Sequence, residues 1–409
     1  MRLFNTLLFV LFALSANAAD GTVGTVSVQK GNNVSVNGEA PLSLTLDGKD
    51  PQSCQFLSKR APDESHDFTW KEVTTTRGGE LAEILGDQLR SVDSLVVKGY
   101  VNDKDFHAMW DASLYGYLSV INLKNAVLEN NAVPDTAFFH ENEQYEGSSH
   151  EIFYYIGLRK IILPEGLEKI GEGAFYQASA LRQVNFPSTL RYIGDFAFNA
   201  TKLEMNQLVI PEGVEEINQY AFAFCRKLKA QVTLPSTIKK IGEWAFYGCP
   251  ITSINLPEGL ESLGSLAFWD CDLREVSIPS SCHEFNEGWQ FGFNRNLEKM
   301  HLPEGMTEIP DHFAVDCFRL REVNFPHTLK HIGEKAFSLC ISLKNVDLPL
   351  GMQSLGEEAF SELEALEQIV FPASMKSLGK NSCSYWKNIK RIYCAAMEPP
   401  VCDPTDGGV

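Results

Sequence analysis

Past its first 14 residues this sequence has no run long and apolar enough to cross a membrane, since a spanning helix takes about 20 apolar residues. Basic residues are in short supply: 35 Lys and Arg stand against 53 Asp and Glu, a formal net charge of −18. That balance repels nucleic acid and anionic membrane surfaces, so neither is expected as a partner. Catalytic signatures are missing too: there is no G-x-S-x-G nucleophile elbow, no H-E-x-x-H zinc motif and no phosphate loop. The pairs His283-Glu284 and Asp311-His312 stand alone in their surroundings. No histidine column accompanies the cysteines described below, so no metal or other cofactor is expected, and the chain does not read as an enzyme.

What is present begins with the layout of a bacterial-type secretory signal peptide over residues 1–18. Arg2 supplies the positive start, Leu7 to Leu14 the apolar stretch and Ala16-Asn17-Ala18 a small-residue cleavage site. No cysteine follows to take a lipid. Secretion or cell-surface display is the expectation, with no integral membrane segment after removal of the leader.

From Leu158 to Trp386 one pattern is written about ten times. A proline closes a short apolar run at Pro164, Pro187, Pro211, Pro235, Pro257, Pro279, Pro303, Pro326, Pro349 and Pro372, at intervals of 22–24 residues. A period of that size means a solenoid, each copy forming one coil. Aligned on the proline, positions −3 (Ile161, Val184, Leu208) and −1 (Leu163, Phe186, Ile210) are apolar throughout, which puts both on one face of a short strand. Position +6 is a second apolar column, Ile170, Ile193 and Ile217 in its first copies. Position +7 is mostly glycine or asparagine, read here as a left-handed turn. Pro310 cannot adopt that turn, so the seventh coil is expected to bend differently there. Seven coils then carry Ala-Phe, as in Ala245-Phe246, read as a short helical turn whose phenylalanine plugs the coil.

The consensus L-x-x-V-x-F-P-x-x-L-x-x-I-G-x-x-A-F-x-x-C resembles the repeat of the BspA-like leucine-rich repeat family of bacterial surface proteins. The resemblance covers residues 158–386 and, more loosely, 73–138. It implies a leucine-rich repeat solenoid, an α/β repeat that is mostly β with short helical turns. It also implies adhesion to host extracellular or cell-surface proteins.

Ahead of the repeats, residues 19–70 read as a small β-rich module and linker, with strands around Val23 to Val28, Val34 to Val36 and Leu42 to Leu46. These strands form either a separate module or the first cover of the solenoid. Residues 71–150 are expected to be an N-terminal cap of degenerate repeats, with helical spacing over 79–89, a strand over 94–97, a helical turn over 105–110 and a strand over 120–123. The solenoid takes 151–394, and 395–409 is expected to be an irregular tail. Nothing amphipathic closes that end, so either a partner covers it or more chain follows.

Cys225, Cys249, Cys271, Cys317 and Cys340 share one column, where other coils place Ala178, Thr201, Phe293, Leu363 and Trp386. A column that accepts alanine and leucine is a packing site, so buried free thiols are expected. Cys394 and Cys402, in the tail, are the candidates for a disulfide.

Between the two inward strand positions lies an outward one. Its candidate ligand-binding members are Asn185, Thr233, Asn255, Ser277, His301, Asn324 and Asp347. At about 4.8 Å per strand the full column makes a ladder roughly 43 Å long, enough to seat a protein ligand of unknown identity. The sixth and seventh coils depart from the pattern together, and Trp289 and His312 are candidate contacts at that edge. The expected function is adhesion through the strand face; the alternative is an envelope scaffold that organises the cell's own surface proteins or captures glycans.

Overall fold

Each copy of the repeat contributes one strand to each of two parallel ladders and closes through a segment of turns. The computed structural model describes residues 68–139 and 156–402, together with the backbone of the strands Gly24–Gln29 and Asn33–Gly38. The expected signal peptide, the expected third early strand and residues 140–155 lie outside the described residues. The two early strands pair antiparallel, with Val26 opposite Val36.

First-ladder strands such as Gln207–Val209 and Gln231–Thr233 run parallel and in register, Leu208 beside Val232. Their central residues point inward: Leu208, Val232 and Met300 are 0%, 3% and 1% exposed. Second-ladder strands are two residues long, such as Lys169–Ile170 and Tyr192–Ile193, and bury the isoleucine. Each such side chain removed from water contributes ~1.5–3 kcal/mol, and since no coil can bury both columns alone, neighbouring coils complete the core.

The phenylalanines form a third buried column. Phe175, Phe198, Phe222, Phe246, Phe268 and Phe291 stack with centroids 5.2–5.6 Å apart. Phe313 then stands where other coils have alanine, with Ala314 in the phenylalanine position, and it meets Phe291 edge-on at 75°.

The turns correct two expectations. The Ala-Phe segment is not helical, and among the described residues of 156–402 no helix occurs. The backbone instead enters the left-handed region twice per coil, just before the Ala-Phe pair (Phe196, Tyr220, Trp244) and two residues after it (Ala200, Phe224, Gly248). These reversals aim alternate amides at the next coil, while those between them bond back along the chain. Phe198 N–H donates to Ala221 O at 2.8 Å, and Phe222 N–H to Ala245 O at 2.9 Å. A left-handed backbone costs an L-residue roughly 1–2 kcal/mol, which these lateral bonds offset.

The glycine column, by contrast, is not left-handed. Gly171, Gly194, Gly264 and Gly379 are absent from the positive-φ residues; their requirement is space. A Cβ on Gly264 would lie 2.4 Å from Glu243 N, and one on Gly194 2.6 Å from Glu172 N. Pro310 is compatible with the column's backbone because φ there is not positive, and Ile309 keeps its pairing with Ile332. What proline removes is a donor. The +7 amide bonds the preceding coil's second-ladder carbonyl, as Gly194 N–H does to Ile170 O and Gly264 N–H to Ile241 O. Proline has none to give, and there the second ladder divides into sheets of seven and five strands. The sixth coil also carries one extra residue, six steps separating Phe285 from Phe291 where five separate Ile170 from Phe175.

The block expected as a cap is built into the first ladder. Strands Trp70–Thr75, Ser94–Val101 and Val120–Leu128 pair in parallel, and Val120–Leu128 pairs onward with Lys160–Ile162. The helix between them is longer than the turn expected, Asp103–Tyr115. A capping box fixes its start, with Asn102 accepting from Lys104 N–H and Asp105 bonding back to Asn102 N–H. At the other end the stretch expected to be irregular extends the second ladder, Val401–Cys402 pairing with Ser377–Leu378. Among the described residues no helix is long and apolar enough to cross a membrane.

Candidate binding surfaces

Asn185, Thr233, Asn255, Ser277, His301, Asn324 and Asp347 are all exposed. The structure brings them together in groups rather than in one row. Thr233 lies beside Asn255, and Ser277, His301 and Asn324 are consecutive rungs. Asn185 follows the last residue of Gln183–Val184, the closing strand of the five-stranded N-terminal sheet, and Asp347 just follows the strand Asn345–Val346.

Two of the candidates are occupied. Asn185 Oδ1 accepts from Leu163 N–H at 2.7 Å and its Nδ2 donates to Leu163 O at 3.0 Å. Asn324 does the same to Leu302, at 2.9 and 3.0 Å. These carboxamides replace a strand pair and hold neighbouring coils together. His301 Nε2 lies 3.3 Å from Glu275 Oε1 across one rung. Thr233, Asn255, Ser277 and Asp347 carry no such side-chain bond among the described residues, which leaves them the available part of the ladder.

Trp289 and His312 do meet, as a stacked pair at 3.6 Å between ring centroids. His312 is 15% exposed in its side chain, with Nε2 3.8 Å from Glu334 Oε1. Its Nδ1 is buried with no hydrogen-bond partner among the described residues. Burial lowers its pKa below the ordinary imidazole value, against a smaller raising influence from Glu334. Tilted ring contacts continue from it through Trp269, 5.2 Å from Trp289 and 4.6 Å from Phe293. Farther along, Phe196, Tyr220 and Trp244 stack in the same turn column, at 4.7 and 5.3 Å. Sequence reading missed this half-buried aromatic band. Its signal was the residue just before Ala-Phe, aromatic in three consecutive coils.

The cysteine column is a donor column as well as a packing site. Cys249 Sγ donates to Phe222 O at 2.9 Å, Cys271 Sγ to Phe246 O at 3.3 Å and Cys317 Sγ to Phe291 O at 3.3 Å. In the sixth coil the extra residue puts Asn294, not Phe293, in this place. Its Nδ2 donates to Phe268 O at 2.7 Å, as Trp386 Nε1 does to Phe360 O. The five column thiols are buried and free; burial pushes Cys317 up to about 12 and raises Cys249, Cys271 and Cys340 above the ordinary thiol value. Cys394 and Cys402 are exposed free thiols on strands of two different sheets. Among the described residues no group of three His, Cys, Asp or Glu is placed to hold a metal ion.

The family model of the BspA type leucine rich repeat region matches this chain in six copies, over residues 148–231, 230–337 and 312–397. No curated protein matches it. Among solved structures, a leucine-rich repeat protein from Bacteroides ovatus is 24% identical, with a TM-score of 0.46, over 68% of this chain and 78% of that one. A leucine rich cell surface protein from Faecalibacterium prausnitzii is 21% identical, with a TM-score of 0.35, over 69% of this chain and 84% of that one. A leucine rich repeat protein from T. pallidum is 24% identical, with a TM-score of 0.33, over 45% of this chain and 78% of that one.

Proposed function

The chain belongs to the BspA-type leucine-rich repeat family, and from that premise we propose that it is an exported adhesion protein that docks a host extracellular or cell-surface protein on its strand face. The observation that supports this most directly is the contrast along each rung. The inward neighbour, such as Val276 at 1%, is buried, whereas Ser277 beside it is exposed and makes no side-chain bond among the described residues. Side chains so placed can vary without disturbing the core, which suits a surface selected for recognition. They are short and mostly uncharged, so a partner can approach the sheet closely. This is binding chemistry and not catalysis.

The test is a pull-down with the purified protein and a Thr233/Asn255/Ser277 triple-arginine variant, against host extracellular-matrix proteins and against an extract of the producing cell's envelope. Asn324 stays unchanged because its side chain holds Leu302. Capture of a matrix protein that the variant loses supports adhesion through this face. Capture of envelope components alone moves the protein to the scaffold reading, and equal capture by the variant removes the strand face from consideration.

A further inference from the structure

Beside the available rungs Thr233 and Asn255 the surface opens into a depression of about 700 Å³ lined by Asn206, Gln207, Lys229, Gln231 and Thr252. We propose that it is a saccharide-binding site for a short acidic sugar, whose ring hydroxyls bond the carboxamides and whose carboxylate meets Lys229.

The depression follows from one column of the repeat. Five residues before the proline, the coils on either side carry long side chains: Arg159 and Arg182 precede, Arg274 and Glu298 follow. The three coils between carry Asn206, Ala230 and Thr252. Three consecutive short residues remove a wall that the other coils possess. Ala230 is fully buried, its carbonyl accepting from Thr252 N–H at 3.0 Å. Gln207 and Gln231 stand on adjacent rungs in register, with Ser253 on the next, so their carboxamides repeat at about 4.8 Å.

Two features define the ligand. The first is hydrogen-bonding capacity left unused. Asn206, Gln207, Lys229 and Gln231 make no side-chain hydrogen bond or ion pair among the described residues. On the same flank farther along, Lys299 pairs with Glu322 at 2.9 Å and Lys390 with Glu367 at 2.9 Å. Carboxamides supply donors and acceptors together, which matches a ligand whose own groups are hydroxyls; the Thr252 hydroxyl is already turned to Ala230 O at 3.5 Å. No apolar side chain lines the depression, so a peptide would find nowhere to seat its side chains. The second feature is charge. In a chain of net charge −18, the lining holds one ammonium and no carboxylate, which favours an anionic sugar over a neutral one. The inference is independent of protein docking on the strand face, because a free oligosaccharide reads this site alone.

The experiment is calorimetric titration of the full protein with hyaluronan tetrasaccharide and 3′-sialyllactose as acidic probes, and with chitotetraose as the neutral one. At least one acidic probe is expected to bind, at least about tenfold more tightly than chitotetraose. Gln231→Ala should weaken it about tenfold, the loss of roughly one good hydrogen bond to a charged or hydroxylic partner. Lys229→Met should erase the preference for acid over neutral sugar. Thr252→Arg restores the long side chain that Arg274 carries one coil on, so it should abolish binding with an unchanged melting curve. Silence of both acidic probes up to about 10 mM, a range that reaches the weakest specific affinities, overturns the proposal. So does equal binding of chitotetraose, or full binding by Thr252→Arg.

Discussion

The indole of Trp289 lies flat against the imidazole of His312, with ring planes within 8° of each other. The contact spans the place where the second ladder is interrupted, since Trp289 belongs to the coil with the extra residue and His312 follows Pro310 in the next. Trp289 N–H donates to Asp311 O at 3.0 Å. Backbone and ring contacts thus span a junction that lost its strand pairing.

That relationship makes the junction sensitive to acid. Burial lowers the folded-state pKa of His312 below its unfolded value near 6.5. The unfolded chain therefore binds the extra proton first, and the native state is destabilised as pH falls through that window. The charged groups facing the ring are Glu334, Asp311 and Glu358, which favour protonation, and Lys335, which opposes it. Melting temperature should drop between about pH 7 and pH 5, and His312→Phe should flatten that part of the profile. Parallel profiles for the two proteins would show that other groups govern the acid limb.

Phe246 is fully buried, stacked between Phe222 at 5.3 Å and Phe268 at 5.6 Å. Phe246→Ala should cost about 3–5 kcal/mol in urea denaturation. A loss under about 1 kcal/mol would mean that neighbouring coils slide to fill the gap.

Space, not φ, is what the glycine column requires. Gly264→Ala would press a methyl to 2.4 Å from Glu243 N and should destabilise by about 1–3 kcal/mol. Gly264→Pro is a poor probe because it also deletes the amide that bonds Ile241 O. A neutral Gly264→Ala, measured by thermal melting, contradicts the packing explanation.

Asn185 and Asn255 occupy the same column with different duties. Asn185→Ala leaves the N–H and carbonyl of Leu163 without their partner and should cost about 1–3 kcal/mol. Asn255→Ala should change stability by less than about 0.5 kcal/mol. Equal effects of the two substitutions on melting temperature would refute the distinction.

Thiol chemistry checks the cysteine column. A water-soluble thiol reagent should modify Cys394 and Cys402 in the native protein, while Cys225, Cys249, Cys271, Cys317 and Cys340 react only after unfolding. Protection of Cys394 and Cys402 that is lifted by a reductant would instead reveal a disulfide between them.

Much of this architecture was legible in the sequence because a solenoid writes its core as columns. Leu208, Ile217 and Phe222 announce their burial by position alone, and the structure buries all three completely. The turns were less legible. Glycine at +7 suggests positive φ, but a glycine column also arises wherever backbones crowd, and only the neighbouring coil distinguishes the two. The exposed ladder was legible as exposed and not as available, since nothing in the letters of Asn185 shows that its carboxamide reaches back 22 residues to Leu163.

The sequence by itself determined the period, the columns that must leave water and the family, because burial in a repeat is a matter of spacing along one chain. The tertiary structure alone decided where the ladders break, which asparagines are already bonded, that Trp289 meets His312 and where short side chains open a depression. Each of those depends on a side chain or backbone group in the adjacent coil, one strand spacing away in space and 22–24 residues away in sequence.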